Sequence, residues 1–407
     1  MTETSAAVTG IGLVTPAGIG VTAAWDGLLT GRSRAATDAA LAGLPVDFCC
    51  RVPDFDADAI LGRRLSWRLD RGTQLAVTAA REAVADSGWD PARWNAERVA
   101  VVIGVGSVSY DHYEKEVGHI KVGAFEKVSP LAITRSVPNM AAGEIGMDLG
   151  ARGPNFGVST ACASGATAIG VALGLLRAGS CDIAIAGGAE SACNRICSAA
   201  FGQMGALSGR TRDPAGASRP FDQDRDGFVL GEGAGVLVLE RPRDALGRGA
   251  RPRAYLAGYG ASCDAYRFAA PHPAGRGAAE AMQAALRDAA LAPEDIDHIN
   301  AHGTSTPLND LAEFHALHHV FGRPPAVSAN KSLLGHAIGG AGAIESVHTV
   351  LTLERQTIPP TANLDSPDPQ IDLDIVSKEP RETPMDAALT NSFGFGGQNA
   401  ALVFHVA

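Results

Sequence analysis

The 407-residue chain lacks any run of about 18 consecutive apolar residues, the length a membrane-spanning helix requires, so no span is expected. Its first residues, MTETSAAVTGIGLVTPAG, lack a basic region followed by an apolar stretch and a cleavage site. No secretory signal is read there, and a cytoplasmic address is expected. Cysteine is sparse and unpatterned: seven residues at 49, 50, 162, 181, 193, 197 and 263 contain no CxxC pair. A disulfide framework and a zinc knuckle are both disfavoured, and reduced thiols with no metal site are expected. Basic residues are in deficit, 34 Lys and Arg against 44 Asp and Glu. The balance argues against a general nucleic-acid binder, because phosphate contacts need clustered positive charge. A local basic patch is not excluded.

What is present is ample apolar material, 46% of residues against 19% charged. The length favours two domains or one large duplicated fold. Short β-rich runs (AAVTGIGLV, VAVVIGVG, CDIAIAGGA, AGVLVLE) alternate with Ala-rich amphipathic segments at 70–87 and 163–178, which predicts an α/β chain. The segments STACASGATAIGVALGLLRAG and SLLGHAIGGAGAIESVHTVLTLERQ share a plan: a polar turn, one reactive side chain (Cys162, His336), then a Gly/Ala-rich helix. This similarity suggests a duplicated architecture, divided near LERPRDALGRGARPRAYLAG into residues 1–250 and 251–407.

Free cysteine is often a buried apolar filler. At the first turn of a helix, however, unpaired N–H groups and the positive end of the helix dipole favour a thiolate, which makes Cys162 a candidate nucleophile. Possible partners lie far along the chain. AHGTSTPLND sets His302 at the end of a β-like run, NKSLLGHAIGGAG supplies Lys331 and His336, and TNSFGFGGQNA forms a glycine-rich loop with Phe393 and Phe395. His315, His318 and His319 lie on a helical pattern and read as surface or packing residues.

Taken in order, TACASG, AHGTSTPLND, NKSLLGHAIGGAGAIE and NSFGFGGQNA resemble the β-ketoacyl-acyl-carrier-protein synthases of the thiolase superfamily. VTGIGLVTPAG and FDQDRDGFVLGEGAGVLVLE extend the resemblance over essentially the whole chain, and it is most similar to the elongating Cys-His-His type. The resemblance implies a duplicated five-layer αβαβα fold with helices between two mixed sheets. It also implies that Cys162 accepts an acyl chain, that His302 and His336 donate hydrogen bonds to an enolate, and that the N–H groups of Cys162 and Phe395 form an oxyanion hole. Gly394 and Gly396, with Gly397, give that loop close approach and hinge freedom, and Phe395 is expected to gate the site. Lys331 matches a lysine paired with a glutamate, here Glu313. Thr304 and Thr306 match threonines that contact a phosphopantetheine arm, on which substrates arrive; no permanently bound cofactor is implied.

The implied partner is an acyl carrier protein. Carriers are usually acidic, so Arg63, Arg64, Arg68 and Arg71 in LGRRLSWRLDRG are the docking candidates. Relatives commonly carry His and Thr where SCDAYRFAAP has Arg267 and Ala269; Gly205 replaces a frequent arginine, and Gln398 a Thr or His. These departures favour type II polyketide elongation over housekeeping fatty-acid elongation, the alternative. They also allow either a homodimer or a heterodimer with a chain-length-factor-like homologue. A noncatalytic partner subunit would need no nucleophile, and a thiolase would use a second cysteine, yet none follows residue 263. The bulk of Tyr110, Tyr113, Phe125 and Leu131 is where a limit on acyl-chain length is expected.

Overall fold

Strand β1 (Ala6–Thr15) is buried at all ten residues and so needs cover on both faces. The computed structural model describes residues 4–407; residues 1–3, where the N-terminal stretch read for a targeting signal begins, lie outside them. The remaining long strands are β2 (Val99–Gly104), β3 (Asn155–Val158), β4 (Ile183–Ser191), β5 (Glu232–Glu240), β6 (Ala254–Cys263), β7 (His298–Asn300), β8 (Ala326–Ser328), β9 (Ala387–Gly394) and β10 (Gln398–Val406). They run β8-β7-β9-β10-β6-β1-β5-β4-β2-β3, with a short strand, Gly18–Ile19, paired to β1.

Each half of this path repeats one pattern. From β3 through β2, β4 and β5 to β1, two parallel pairings are followed by two antiparallel ones. From β8 through β7, β9 and β10 to β6 the same sequence of pairings recurs. The expected two sheets are not separate: β1 and β6 join them through Ala6–Leu256, Ala7–Tyr255 and Val8–Ala254.

The principal helices are α1 (Arg71–Asp86), α2 (Tyr110–Lys121), α3 (Met140–Leu149), α4 (Ser164–Arg177), α5 (Arg195–Gln203), α6 (Arg276–Ala289), α7 (Pro307–Phe321) and α8 (Ala341–Arg355). α1 and α3 cover the outside of the first half through Leu75, Val77 and Ile145. α6 and α7 cover the second through Met282, Leu286 and Leu317. α4 and α8 fill the middle, where Ile169, Leu173, Val347 and Leu351 share one core with Val102, Leu237 and Leu402. This is the five-layer αβαβα arrangement. Close approach is set by glycine in matching places. A Cβ on Gly12 would lie 1.9 Å from the Ala79 carbonyl oxygen of α1, and one on Gly260 2.0 Å from that of Ala281 in α6.

The two central helices meet at their first turns, where a Cβ on Gly165 would lie 2.7 Å from Ala343 N and one on Gly342 2.9 Å from Ala166 N. The segments just ahead of each helix, carrying Cys162 and His336, are therefore delivered to one place. β7 and β9 run parallel, so their C-terminal ends bring His302 and the Phe393–Phe395 loop to the same edge. Among the described residues no helix is long and apolar enough to cross a membrane.

Candidate active site

Cys162 stands in a tight turn ahead of α4. Ala161 takes φ +50°, Ala163 is the N-cap, and the first helical residue is Ser164. The thiol is thus placed before the helix, not within its first turn as the sequence reading expected. The Ser164 hydroxyl fixes this turn by donating to the Ala161 carbonyl (2.6 Å) and accepting from Thr160 N (2.9 Å).

The loop between β9 and β10 closes over the sulfur. A Cβ on Gly394 would lie 2.5 Å from the Thr160 carbonyl oxygen, so only glycine admits this approach. Gly396 follows at φ +84°, a left-handed conformation that a side chain would strain. In this position the N–H groups of Phe395 and Cys162, the two donors assigned to the oxyanion hole, lie close enough to the thiol to lower its pKa.

His302 and His336 are both buried, and their rings meet edge to face with centroids 5.5 Å apart. Phe393 packs on the first ring and Phe228 on the second. Nδ1 of both rings is buried without a hydrogen-bond partner, which leaves Nε2 for a substrate. Burial, and then the Lys331 ammonium, hold both imidazoles well below the usual histidine range, so both are neutral at pH 7. Burial also pushes the Cys162 thiol up to about 11, against the lowering by Lys331 and the Phe395 N–H. The expectation of a helix-activated resting thiolate is therefore corrected: the resting group is a thiol.

The expected Lys331–Glu313 pair is not formed. Lys331 Nζ lies 2.5 Å from Glu345 Oε1 and donates to the His302 carbonyl at 2.7 Å. Glu313 serves backbone instead, accepting from His302 N and Gly303 N, each at 2.8 Å. Burial raises both carboxyls to about 7. Glu345 was missed by sequence reasoning, although a lone acidic residue in the buried stretch of α8 was the available signal.

These groups open on a cavity of about 510 Å³ lined by Cys162, His302, His336, Thr304, Thr306 and Phe395. The two threonine hydroxyls lie 2.9 Å apart. Arg267, Ala269 and Gly205 also line it. Phe395 approaches Phe201 of α5, another lining residue absent from the sequence reading (centroids 6.1 Å). Tyr110 packs against the buried cluster that holds Cys162 and also borders a second cavity of about 490 Å³. Phe125 is exposed and lines neither cavity. Among the described residues no cluster of three or more His, Cys, Asp or Glu could hold a metal.

The four docking arginines divide. Arg63, Arg64 and Arg68 are exposed, Arg68 also pairing with the buried Glu144. Arg71 turns inward to the buried Glu232 (2.7 Å) and stacks over Phe55, so it is removed from the docking set.

Comparison with known proteins follows the same lines. Residues 4–245 match the family described as Beta-ketoacyl synthase, N-terminal domain, and residues 253–365 its C-terminal domain. The chain is 43% identical to 3-oxoacyl-[acyl-carrier-protein] synthase 2 of Synechocystis sp., covering 98% of this chain and 97% of that one. Among solved structures, the ishigamide ketosynthase/chain length factor superposes with TM-score 0.92 at 34% identity, over 99% of both chains. A type II PKS ketosynthase in complex with its acyl-carrier protein, bound to the hexaketide, superposes at 0.91 and 30%, also over 99% of both. With both family domains matched in order and a relative of this identity over nearly its whole length, the chain belongs to the β-ketoacyl synthase family.

Proposed function

We propose that the protein lengthens acyl chains by decarboxylative Claisen condensation on Cys162. The observation that carries this reading is one cavity lined by the Cys162 thiol, the Phe393–Phe395 loop and two neutral imidazoles. The thiol attacks a carrier-bound acyl thioester; a new sulfur–acyl bond forms, and the carrier thiol leaves with the proton. Malonyl carrier protein then loses carbon dioxide, and its bond electrons become an enolate whose oxygen accepts hydrogen bonds from His302 and His336. The enolate carbon attacks the acyl-cysteine carbonyl. The resulting oxyanion lies under the two backbone N–H groups, and collapse expels the Cys162 sulfur, leaving a β-ketoacyl chain two carbons longer on the carrier.

Lys331 holds the His302 turn through its carbonyl, and Glu313 holds it through two N–H groups. Thr304 and Thr306 receive the phosphopantetheine arm, and Phe395 gates access. Arg63 and Arg64, with Arg68 beside them, form the carrier-docking face. The protein works in the cytoplasm as a homodimer or with a chain-length-factor-like homologue, needs no permanently bound cofactor, and divides near residue 250 into two thiolase-like halves.

Polyketide elongation is the pathway favoured by Arg267, Ala269 and Gly205, which line the cavity. Fatty-acid elongation is the second reading, supported by the 43% identity to a 3-oxoacyl-[acyl-carrier-protein] synthase 2. The test is product analysis with saturated, unsaturated and β-oxygenated acyl carriers plus malonyl carrier protein, with and without a homologous subunit. Preference for saturated chains by the protein alone would favour the fatty-acid reading; preference for unsaturated or oxygenated chains would favour the polyketide one. Acylation without any condensed product would refute the reaction.

A further inference from the structure

Thr304 and Thr306 present their hydroxyls to one cavity although they are two residues apart in a turn, and the residue between them explains how. Ser305 is fully buried and takes φ +69°, a conformation that costs a non-glycine residue energy and persists only when its surroundings impose it. Three bonds impose it here. Ser305 N donates to Asp310 Oδ1 at 3.2 Å, its hydroxyl accepts from Arg219 N at 2.9 Å, and its carbonyl accepts from Gly227 N at 3.1 Å.

Asp310 serves a second strained turn as well. Its Oδ2 accepts from Phe221 N at 2.9 Å, and Phe221 itself takes φ +65°. Arg225 Nε lies 3.6 Å from the same oxygen, while its Nη1 donates to Asp368 at 2.7 Å and to the Asp222 carbonyl at 2.8 Å. One fully buried carboxyl thus ties the 219–228 segment to the 303–306 turn. With Ser305 pinned away from the cavity, its two neighbours must face into it.

We infer that Asp310 is a positioning residue which, through Ser305, sets the paired hydroxyls of Thr304 and Thr306 for the amide-bearing arm of a carrier-linked substrate. The inference rests on the condensing reaction proposed above. Each hydroxyl can both donate and accept, which suits an amide carbonyl and N–H.

The test compares Cys162 acylation by an acyl-pantetheine thioester and by an acyl thioester of a plain alkyl thiol, in the unaltered protein, Asp310→Asn and Ser305→Gly. Ser305→Gly relieves the positive φ while deleting the hydroxyl anchor, so it keeps the test open if Asp310→Asn folds poorly. Both variants are expected to raise KM for the pantetheine thioester by about tenfold, with kcat changed by less than about twofold. KM for the plain thioester and the rate of Cys162 alkylation by iodoacetamide should not move. An equal rise in KM for both thioesters, or no rise for Ser305→Gly, overturns the assignment. Failure of the unaltered protein to be acylated by either thioester would refute the underlying reaction itself.

Discussion

The Lys331 ammonium lies 2.5 Å from the Glu345 carboxylate, both side chains being almost wholly buried, and 2.7 Å from the His302 carbonyl. A buried charge left without its partner costs about 3–5 kcal/mol. Lys331→Met should therefore lower the melting temperature and slow malonyl decarboxylation, because the His302 turn loses one of its ties. Burial raises the Glu345 pKa from 4.5 to about 7 against the lowering by Lys331, so the full cost of the stranded charge applies only above pH 7, and below it the carboxyl is neutral. Its contribution is fully present below pH 4.5 and is lost as pH rises through 7. The stability loss of the variant should accordingly be larger at pH 8 than at pH 6 in thermal melts.

The pH dependence of the nucleophile follows from its burial. With the Cys162 thiol raised to about 11, the thiolate fraction grows about tenfold per pH unit through the neutral range. Iodoacetamide alkylation of Cys162, followed by peptide mass spectrometry, should rise with that slope from pH 7 to 9. A plateau near pH 7 would mean a thiolate already formed at rest. Decarboxylation should not fall on acidification from pH 7 to 6, because both imidazoles remain neutral there.

Gly394→Ala tests the oxyanion hole without touching any acidic or basic group. The added methyl would lie 2.5 Å from the Thr160 carbonyl oxygen and must push the loop, with the Phe395 N–H, away from the sulfur. Loss of one such donor costs about 10²–10³ in kcat. Single-turnover acylation should slow by that factor while circular dichroism is unchanged.

The arginines near the start of α1 should separate docking from stability. Reversing Arg63 and Arg64 to Glu should raise KM for carrier-linked substrates, most at low salt, and leave the melting temperature unaffected. Arg71→Ala should instead lower the melting temperature, because it leaves the buried Glu232 with only the longer 3.6 Å ion pair to Arg51. Titration of carrier protein at two ionic strengths, beside thermal melts, distinguishes the two.

Much of this arrangement was legible in sequence because local patterning and long-range placement agree. The alternating strands marked an α/β chain and the small residues of the two Gly/Ala-rich helices their close packing, as at Gly165 and Gly342, whereas the five layers were implied by the family resemblance. Cys162 and His336 could be named together because each precedes one of those helices. The partner of Lys331 was not legible, since spacing along the chain does not say which of two buried glutamates a long side chain reaches. Arg71 was misread for a related reason: a run of arginines looks like one exposed face, yet the helix start turns this one toward Glu232. The thiol's acidity was misjudged because a helix terminus is visible in sequence and desolvation is not.

The most direct measurement is intact-protein mass spectrometry, with peptide mapping, of the unaltered protein and Cys162→Ala after incubation with acyl carrier protein and then malonyl carrier protein. The account predicts one acyl adduct, mapped to Cys162 and absent from the variant, that disappears as β-ketoacyl carrier protein forms. An adduct retained by Cys162→Ala, or condensation without any acyl-cysteine, would contradict it.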